Sequence, residues 1–279
     1  MTDFILRAEG VTKDYVAARG LLGRPTRVVH AVKGVSLAMA AGTTLALVGE
    51  SGSGKSTLGR CIAGLLRPSA GRIHLAGHDV GQLAGPALRA FRRQVQTIFQ
   101  DPYSSLNPRR TAGDAIMDGM VIHRLHTPDE RRARMLALLQ RVGLRPEHAQ
   151  RFPHQFSGGQ RQRIAIARAL ALEPRFIIAD EAVSALDVSV KAQVLDLLAD
   201  LQAEHGLTYL FISHDLGVVR HFADRVAIMA AGELVEEGEC DRIFEAPAHD
   251  YTRRLIAAVP RPDPTRRRLR PPAGQGRPA

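Results

Sequence analysis

The nonapeptide Gly49-Glu50-Ser51-Gly52-Ser53-Gly54-Lys55-Ser56-Thr57 constrains this chain more than any other stretch of its 279 residues. It fits the spacing G-x-x-x-x-G-K-[ST]. The apolar run 43–48 ahead of it reads as a short strand, and a helix is expected behind it, through residue 66. Only glycine lets the backbone turn tightly enough to aim several N–H groups at one phosphate, and a helix N-terminus adds the positive end of its dipole. Lys55 is then placed to neutralise the β- and γ-phosphates of a nucleotide, and the Ser56 hydroxyl to ligate Mg²⁺. The plainer alternative is a Gly-Ser-rich loop that only caps a helix; a strand before it and a helix after it favour the phosphate cradle.

The rest of the chain repeats this alternation of short apolar runs and helical patterns. Residues 95–99, 175–179, 207–212 and 225–229 read as strands, and 160–172, 188–204 and 216–222 as helices. That order argues for an α/β fold with a mostly parallel sheet covered on both faces. Ahead of the glycine loop, alternating runs at 4–11, 28–39 and 72–75 read as an antiparallel β patch, and 17–27, with two Gly, one Pro and three Arg, as a surface loop. Thr127-Pro128-Asp129-Glu130 is a capping box with Pro at the first helical position, and Met135, Leu136, Leu138, Leu139 and Val142 give the following helix an apolar stripe. Residues 111–156 therefore read as a helical insertion.

Four more places carry chemistry. The run Phe176-Ile177-Ile178-Ala179-Asp180-Glu181 ends a buried strand in two carboxylates, and successive strand residues point oppositely. Asp180 suits the Mg²⁺ shell and Glu181 the attacking water. Alone, such a pair reads as a solvated loop start; 125 residues beyond the loop lysine it reads as its counterpart. Phe156-Ser157-Gly158-Gly159-Gln160 is either an ordinary capped helix start or a second exposed helix N-terminus suited to an anion. Gln100 ends an apolar strand, and His214 follows another, where a simple polar strand end is the competing reading.

Charge and cysteine content bound the alternatives. The formal net charge is +10, but residues 260–279 hold six Arg against one Asp, so half of the excess sits in a Pro- and Arg-rich tail. A dedicated nucleic-acid face is the lesser reading of that charge, and no nucleic-acid partner is expected. The two cysteines, Cys61 and Cys240, cannot supply a disulfide framework or a four-thiolate metal site, and Cys61 reads as a packed core thiol. No window approaches 18 uninterrupted apolar residues and the first residues lack a signal-peptide pattern, so neither a membrane span nor a cleaved leader is expected.

The order of these motifs resembles the nucleotide-binding subunit of ATP-binding cassette (ABC) transporters over nearly all of residues 4–259. The resemblance implies Walker A at Gly49 to Thr57, the Q-loop at Gln100 with a share in the metal site, and the signature at Phe156 to Gln160, with Phe156 where the family mostly has Leu. It further implies Walker B at Phe176 to Asp180, the catalytic Glu181, the D-loop at Ser184 to Asp187, the switch histidine at His214, and Tyr15 as the ring that stacks on adenine. The segments Phe99 to Pro108, Ala182 to Val190 and Ala246 to Thr252 are similar to the dipeptide and oligopeptide importer branch, which includes nickel and glutathione importers. Here His249-Asp250-Tyr251 replaces the branch's common His-Pro-Tyr. The resemblance thus implies a P-loop fold of the ABC ATPase type, with an N-terminal antiparallel β subdomain and an inserted helical subdomain.

The implied organisation is an ATPase domain over 1–259, with the helical insertion at about 101–160 and an importer-specific extension at about 240–259, then a disordered tail at 260–279. The implied cofactors are ATP and Mg²⁺. The implied partners are a second, related ATPase subunit, two membrane-spanning permeases and an extracytoplasmic solute-binding protein, at the cytoplasmic face of the cell membrane. Two other classes share the motifs: a soluble cassette ATPase acting on ribosomes or DNA, for which residues 101–156 are too short an insertion, and a non-catalytic regulatory cassette, which would lack Glu181.

Overall fold

Thr44–Val48, buried at every position, forms β3 inside a six-stranded sheet. The computed structural model describes residues 4–19, 25–101 and 105–258, with the backbone alone at 17–19 and 25–27. The other strands of that sheet are β6 (Val95–Ile98), β7 (Phe176–Asp180), β8 (Thr208–Ser213), β9 (Arg225–Ala230) and β10 (Glu233–Glu239), in the order β10-β9-β3-β8-β7-β6. All neighbours pair in parallel except β10, which closes the edge antiparallel to β9.

Burial on both faces explains why these strands read as continuous apolar runs rather than as an alternation. Leu45, Leu47, Phe176, Ile178, Leu210, Ile212, Ala227 and Met229 enter one core; Ala46, Val48, Ile177, Ala179, Tyr209, Phe211, Val226 and Ile228 enter the other. The first core is closed by α1 (Lys55–Ile62) and by a four-stranded antiparallel sheet of β1 (Phe4–Arg19), β2 (Pro25–Ala40), β4 (Ala70–Leu75) and β5 (His78–Asp79), in the order β2-β1-β4-β5. α2 (Gly85–Gln94) adds Phe91 to it. The second core takes α3 (Ala112–Ile122), α4 (Pro128–Arg141), α5 (Gly158–Leu170), α6 (Val188–His205), α7 (Leu216–Phe222), α8 (Cys240–Glu245) and α9 (Asp250–Ala257).

The capping box at Thr127 forms in both directions: the Thr127 N–H donates to Glu130 Oε2 at 2.7 Å and the Glu130 N–H to Thr127 Oγ1 at 3.4 Å. Such a cap contributes about 1 kcal/mol. Behind it Met135, Leu139 and Val142 are buried and Leu136 and Leu138 pack against the same core.

The structure differs from the sequence reading in three places. Of the expected loop at 17–27, residues 17–19 and 25–27 are strand, the β1–β2 ladder continuing to Ala18↔Arg27 and Arg19↔Pro25, and 20–24 lie outside the described residues. Pro at the first residue of a strand leaves no ladder bond unmade. The helix behind the glycine loop stops at Ile62 rather than at residue 66, and α5 starts two residues earlier than expected, with Ser157 as its N-cap. The expected tail at 260–279, and Pro102, Tyr103 and Ser104, lie outside the described residues. Among the described residues no helix is long and apolar enough to cross a membrane.

Candidate functional site

Four chain segments meet at the C-terminal edge of the parallel strands, where open α/β sheets leave a crevice for ligands: Gly49 to Ser56 after β3, Gln100 after β6, Asp180 and Glu181 at the end of β7, and His214 after β8. β6, β7 and β8 are adjacent in the sheet and β3 is next to β8, so residues far apart in the chain end side by side.

The glycine loop is pressed between neighbours that leave no room for side chains. A Cβ on Gly49 would stand 2.1 Å from the Met229 carbonyl oxygen, and one on Gly54, where φ is +103°, 2.2 Å from the Ala31 carbonyl oxygen. The Gly232 N–H donates to the Ser53 carbonyl at 3.0 Å and the Lys33 N–H to the Gly232 carbonyl at 2.8 Å, so β2 and the β9–β10 turn hold the loop from behind. Glu50, Ser51 and Gly52 are exposed at its tip, and Ser56 and Thr57 are half-buried in the first turn of α1.

Lys55 is 5% exposed, and its Nζ donates to the Gly49 carbonyl at 2.8 Å, the Glu50 carbonyl at 2.7 Å and Ser53 Oγ at 3.3 Å. The ammonium thus lies inside the loop on neutral acceptors. Burial lowers its pKa from the ordinary lysine value, against the opposing pull of Glu181, Asp180 and Glu50.

Asp180 is 7% exposed and accepts a hydrogen bond from Ser56 Oγ at 2.8 Å on Oδ1. Burial raises its pKa, which the Ser56 bond and the charge of Arg60 oppose. A poorly solvated carboxylate beside a hydroxyl is a hard-oxygen donor pair that gains from a small divalent cation, so the residues present fit Mg²⁺. Arg60 was not singled out by the sequence reading, although it stands four residues after Ser56 and so on the same face of α1.

Glu181 has φ +51°, an uncommon backbone for glutamate, held by its N–H donating to the Ile212 carbonyl at 2.9 Å and by Ser184 Oγ donating to its own carbonyl at 2.9 Å. Gln100 Nε2 donates to Glu181 Oε2 at 2.8 Å, and His214 Nδ1 stands 3.3 Å from the same oxygen. Among the described residues no hydrogen bond takes Oε1. Next to His214, the Asp215 N–H donates to Ser213 Oγ at 3.0 Å, which fixes the turn that presents the imidazole and which no motif had indicated.

Ser157, Gly158, Gly159 and Gln160 are not part of this cluster. Ser157 caps α5 in a closed box, its Oγ accepting the Gln160 N–H at 3.3 Å and its N–H donating to Gln160 Oε1 at 3.1 Å. A Cβ on Gly159 would lie 2.4 Å from Val190 Cγ1, so α5 and α6 touch there through the bare glycine. Asp187, exposed, precedes α6, and its carbonyl accepts the Lys191 N–H at 2.8 Å. Among the described residues no hydrogen bond joins either segment to the glycine loop. Tyr15, 39% exposed, pairs with Val29 across the β1–β2 ladder, two residues along β2 from the Ala31 that backs Gly54; Lys13 Nζ stands 5.4 Å from its ring centroid.

A parallel sheet with a glycine cradle, a buried lysine and an oxygen pair at its C-terminal edge defines a P-loop nucleotide-binding domain. Residues 32–184 match the family model described as ABC transporter, and residues 235–279 the one described as oligopeptide/dipeptide transporter, C-terminal region. This chain belongs to the ABC transporter family and carries its ATP-binding domain.

The glutathione import ATP-binding protein GsiA of Salmonella paratyphi A is 54% identical over 266 residues, which make up 95% of this chain and 43% of that protein. The protein of that name from Escherichia coli strain K12 is 53% identical over 264 residues, 95% and 42% of the two chains. The chain therefore spans less than half the length of these curated relatives. Among solved structures, the ATP-binding cassette MJ0796, a dimer in a post-hydrolysis state bound to ADP and Pi, matches with a TM-score of 0.75 and 32% identity, over 84% of this chain and 98% of that one. CbiO1 of Clostridium perfringens, part of the cbiONQ complex, matches with a TM-score of 0.74 and 29% identity, over 88% and 92%.

Proposed function

We propose that this chain is the ATP-binding and ATP-hydrolysing subunit of an importer that draws di- and oligopeptides across the cytoplasmic membrane. The observation that carries the reading is the convergence of Lys55, Ser56, Asp180, Gln100, Glu181 and His214 on one edge of the sheet. The family of residues 235–279 supports the peptide class of cargo. The name of the relatives favours glutathione, itself a tripeptide, as one such cargo.

In this mechanism the loop N–H groups from Gly52 to Thr57 hold the phosphates, and Tyr15 stacks on the base. Lys55 exchanges the Gly49 and Glu50 carbonyls for the β- and γ-phosphates, so its desolvated charge gains an anionic partner. Ser56 and Asp180, with Gln100 nearby, would hold Mg²⁺, which would supply positive charge against that developing on the phosphate oxygens. Glu181 Oε1 orients a water and takes its proton as the water oxygen bonds to the γ-phosphorus; the bond to the bridging oxygen breaks, giving ADP and phosphate. Gln100 and His214 hold Oε2 and so set the direction of that carboxylate. Ser157 to Gln160 contact the γ-phosphate held by a second cassette, and Asp187 lies at the same junction. A related second ATPase, two permeases, which place the chain on the inner face of the membrane, and a solute-binding protein complete the assembly.

Two results are expected. Ser56→Ala raises the Mg²⁺ concentration needed for half-maximal turnover by about tenfold, since a hydroxyl ligand to a charged centre is lost; an unchanged Mg²⁺ titration removes Ser56 from the metal site. In proteoliposomes carrying the permeases, a binding protein loaded with a di- or oligopeptide raises ATP turnover, whereas nickel or the empty binding protein does not. Stimulation by nickel alone would overturn the peptide assignment and leave the ATPase intact.

A further inference from the structure

The glycine loop is also touched from the far end of the chain: the Glu50 N–H donates to the Tyr251 hydroxyl at 3.2 Å. Tyr251 lies in the first turn of α9, where it packs with Leu255 and Ile256 against the second core. The turn that delivers it is clamped by Glu236 of β10, whose Oε1 accepts the Ala248 N–H at 2.7 Å and whose Oε2 accepts the His249 N–H at 3.0 Å. His249 then caps the helix, its Nδ1 accepting the Tyr251 N–H at 3.1 Å. The phenol is therefore held by a clamp of its own, independent of the loop it meets.

Glu50 is gripped at both ends of its backbone. Its carbonyl accepts Lys55 Nζ at 2.7 Å and the Ser53 N–H at 3.2 Å, while its amide is taken by Tyr251. Its side chain is exposed, so the backbone bonds fix this corner of the loop. The carbonyl on which Lys55 rests is thus set, through one residue, by a hydroxyl 201 residues away in sequence.

We propose that Tyr251 is a positioning residue for nucleotide capture, its hydroxyl fixing the Glu50 backbone so that the loop keeps its phosphate-binding curve and Lys55 its place at the loop. The C-terminal extension becomes a brace on the P-loop, and any movement of α9 is felt as a change in nucleotide affinity. The affinity part rests on the nucleotide reading of the loop; the bracing part does not.

The test uses the full chain and Tyr251→Phe, which removes one oxygen and keeps the ring in the core. Deuterium exchange in peptides covering residues 48–54 of the nucleotide-free protein is expected to quicken severalfold, while that in peptides covering β8 is unchanged. The Kd for ATP is expected to rise about threefold to tenfold, as for the loss of one neutral hydrogen bond, with KM rising more than kcat falls. Thr127→Ala, which uncaps α4 away from the loop, serves as the measure of plain destabilisation: it lowers Tm and leaves ATP affinity as it was. The proposal is overturned if Tyr251→Phe leaves both exchange at 48–54 and ATP affinity at parental values, or if its effects only match those of Thr127→Ala at equal loss of Tm. Should the parent itself fail to bind ATP, the nucleotide reading fails, and the exchange data alone still decide whether Tyr251 holds the loop.

Discussion

Glu181→Gln is expected to bind ATP as the parent does and to hydrolyse it at least about 10²-fold more slowly, the usual share of a positioned general base. The amide is the same size as the carboxylate and keeps an oxygen for Gln100 Nε2, so the loops around the phosphates stay where they are. What it loses is the ability to take a proton from water. Among the described residues no hydrogen bond or ion pair joins the carboxylate to the glycine loop, and Lys55 and Ser56, which hold phosphate and metal in the proposed mechanism, are unchanged. Kinetic theory then places the defect in kcat and kcat/KM together, with affinity spared. Turnover within about twofold of the parent in the assembled complex would take Glu181 out of this role.

Much of this site is legible in the sequence because the chemistry needs particular residues at short spacing. Lys55 follows Gly54 directly, since the helix must start where the loop ends, and Asp180 and Glu181 are adjacent because they leave one strand together. The both-faces-buried strands are equally legible, as runs such as Leu45-Ala46-Leu47-Val48. Other elements hide. β10 carries Glu233, Glu236, Glu237 and Glu239 in seven residues, too charged for an apolar strand signal, although as an edge strand it needs only one ladder partner, β9. α2 buries Phe91 alone, too little for a periodic signal.

Long-range convergence is hidden for a different reason. That Gln100 and His214 reach the same oxygen of Glu181 follows from β6, β7 and β8 lying side by side, and a single sequence does not state strand order. Tyr251 is visible only as part of a motif near the C-terminus; its contact with Glu50 depends on the whole sheet being in place.

Ser157→Arg is expected to be nearly as damaging as the loss of Glu181, for a reason that lies outside the single chain. The segment Ser157 to Gln160 opens α5 with Ser157 exposed, yet among the described residues it makes no hydrogen bond to the loop that holds Lys55. If both segments serve a γ-phosphate, they do so across two cassettes. A guanidinium at Ser157 breaks the capping box, at a cost of about 1 kcal/mol to α5, and puts a bulky cation where, in the proposed assembly, a second cassette closes. ATP binding at Lys55 is unaffected, because nothing in that pocket changes; turnover at the opposed site fails.

The two-cassette mechanism is tested most directly by ATP turnover of the lone, strictly monomeric chain against that of the complete complex, with and without Ser157→Arg. The expected result is weak turnover by the lone chain, a large rise on assembly, and loss of turnover at the opposed site in the variant with ATP still bound at Lys55. Full activity in the monomer, or a variant complex as active as the parent, would contradict the mechanism.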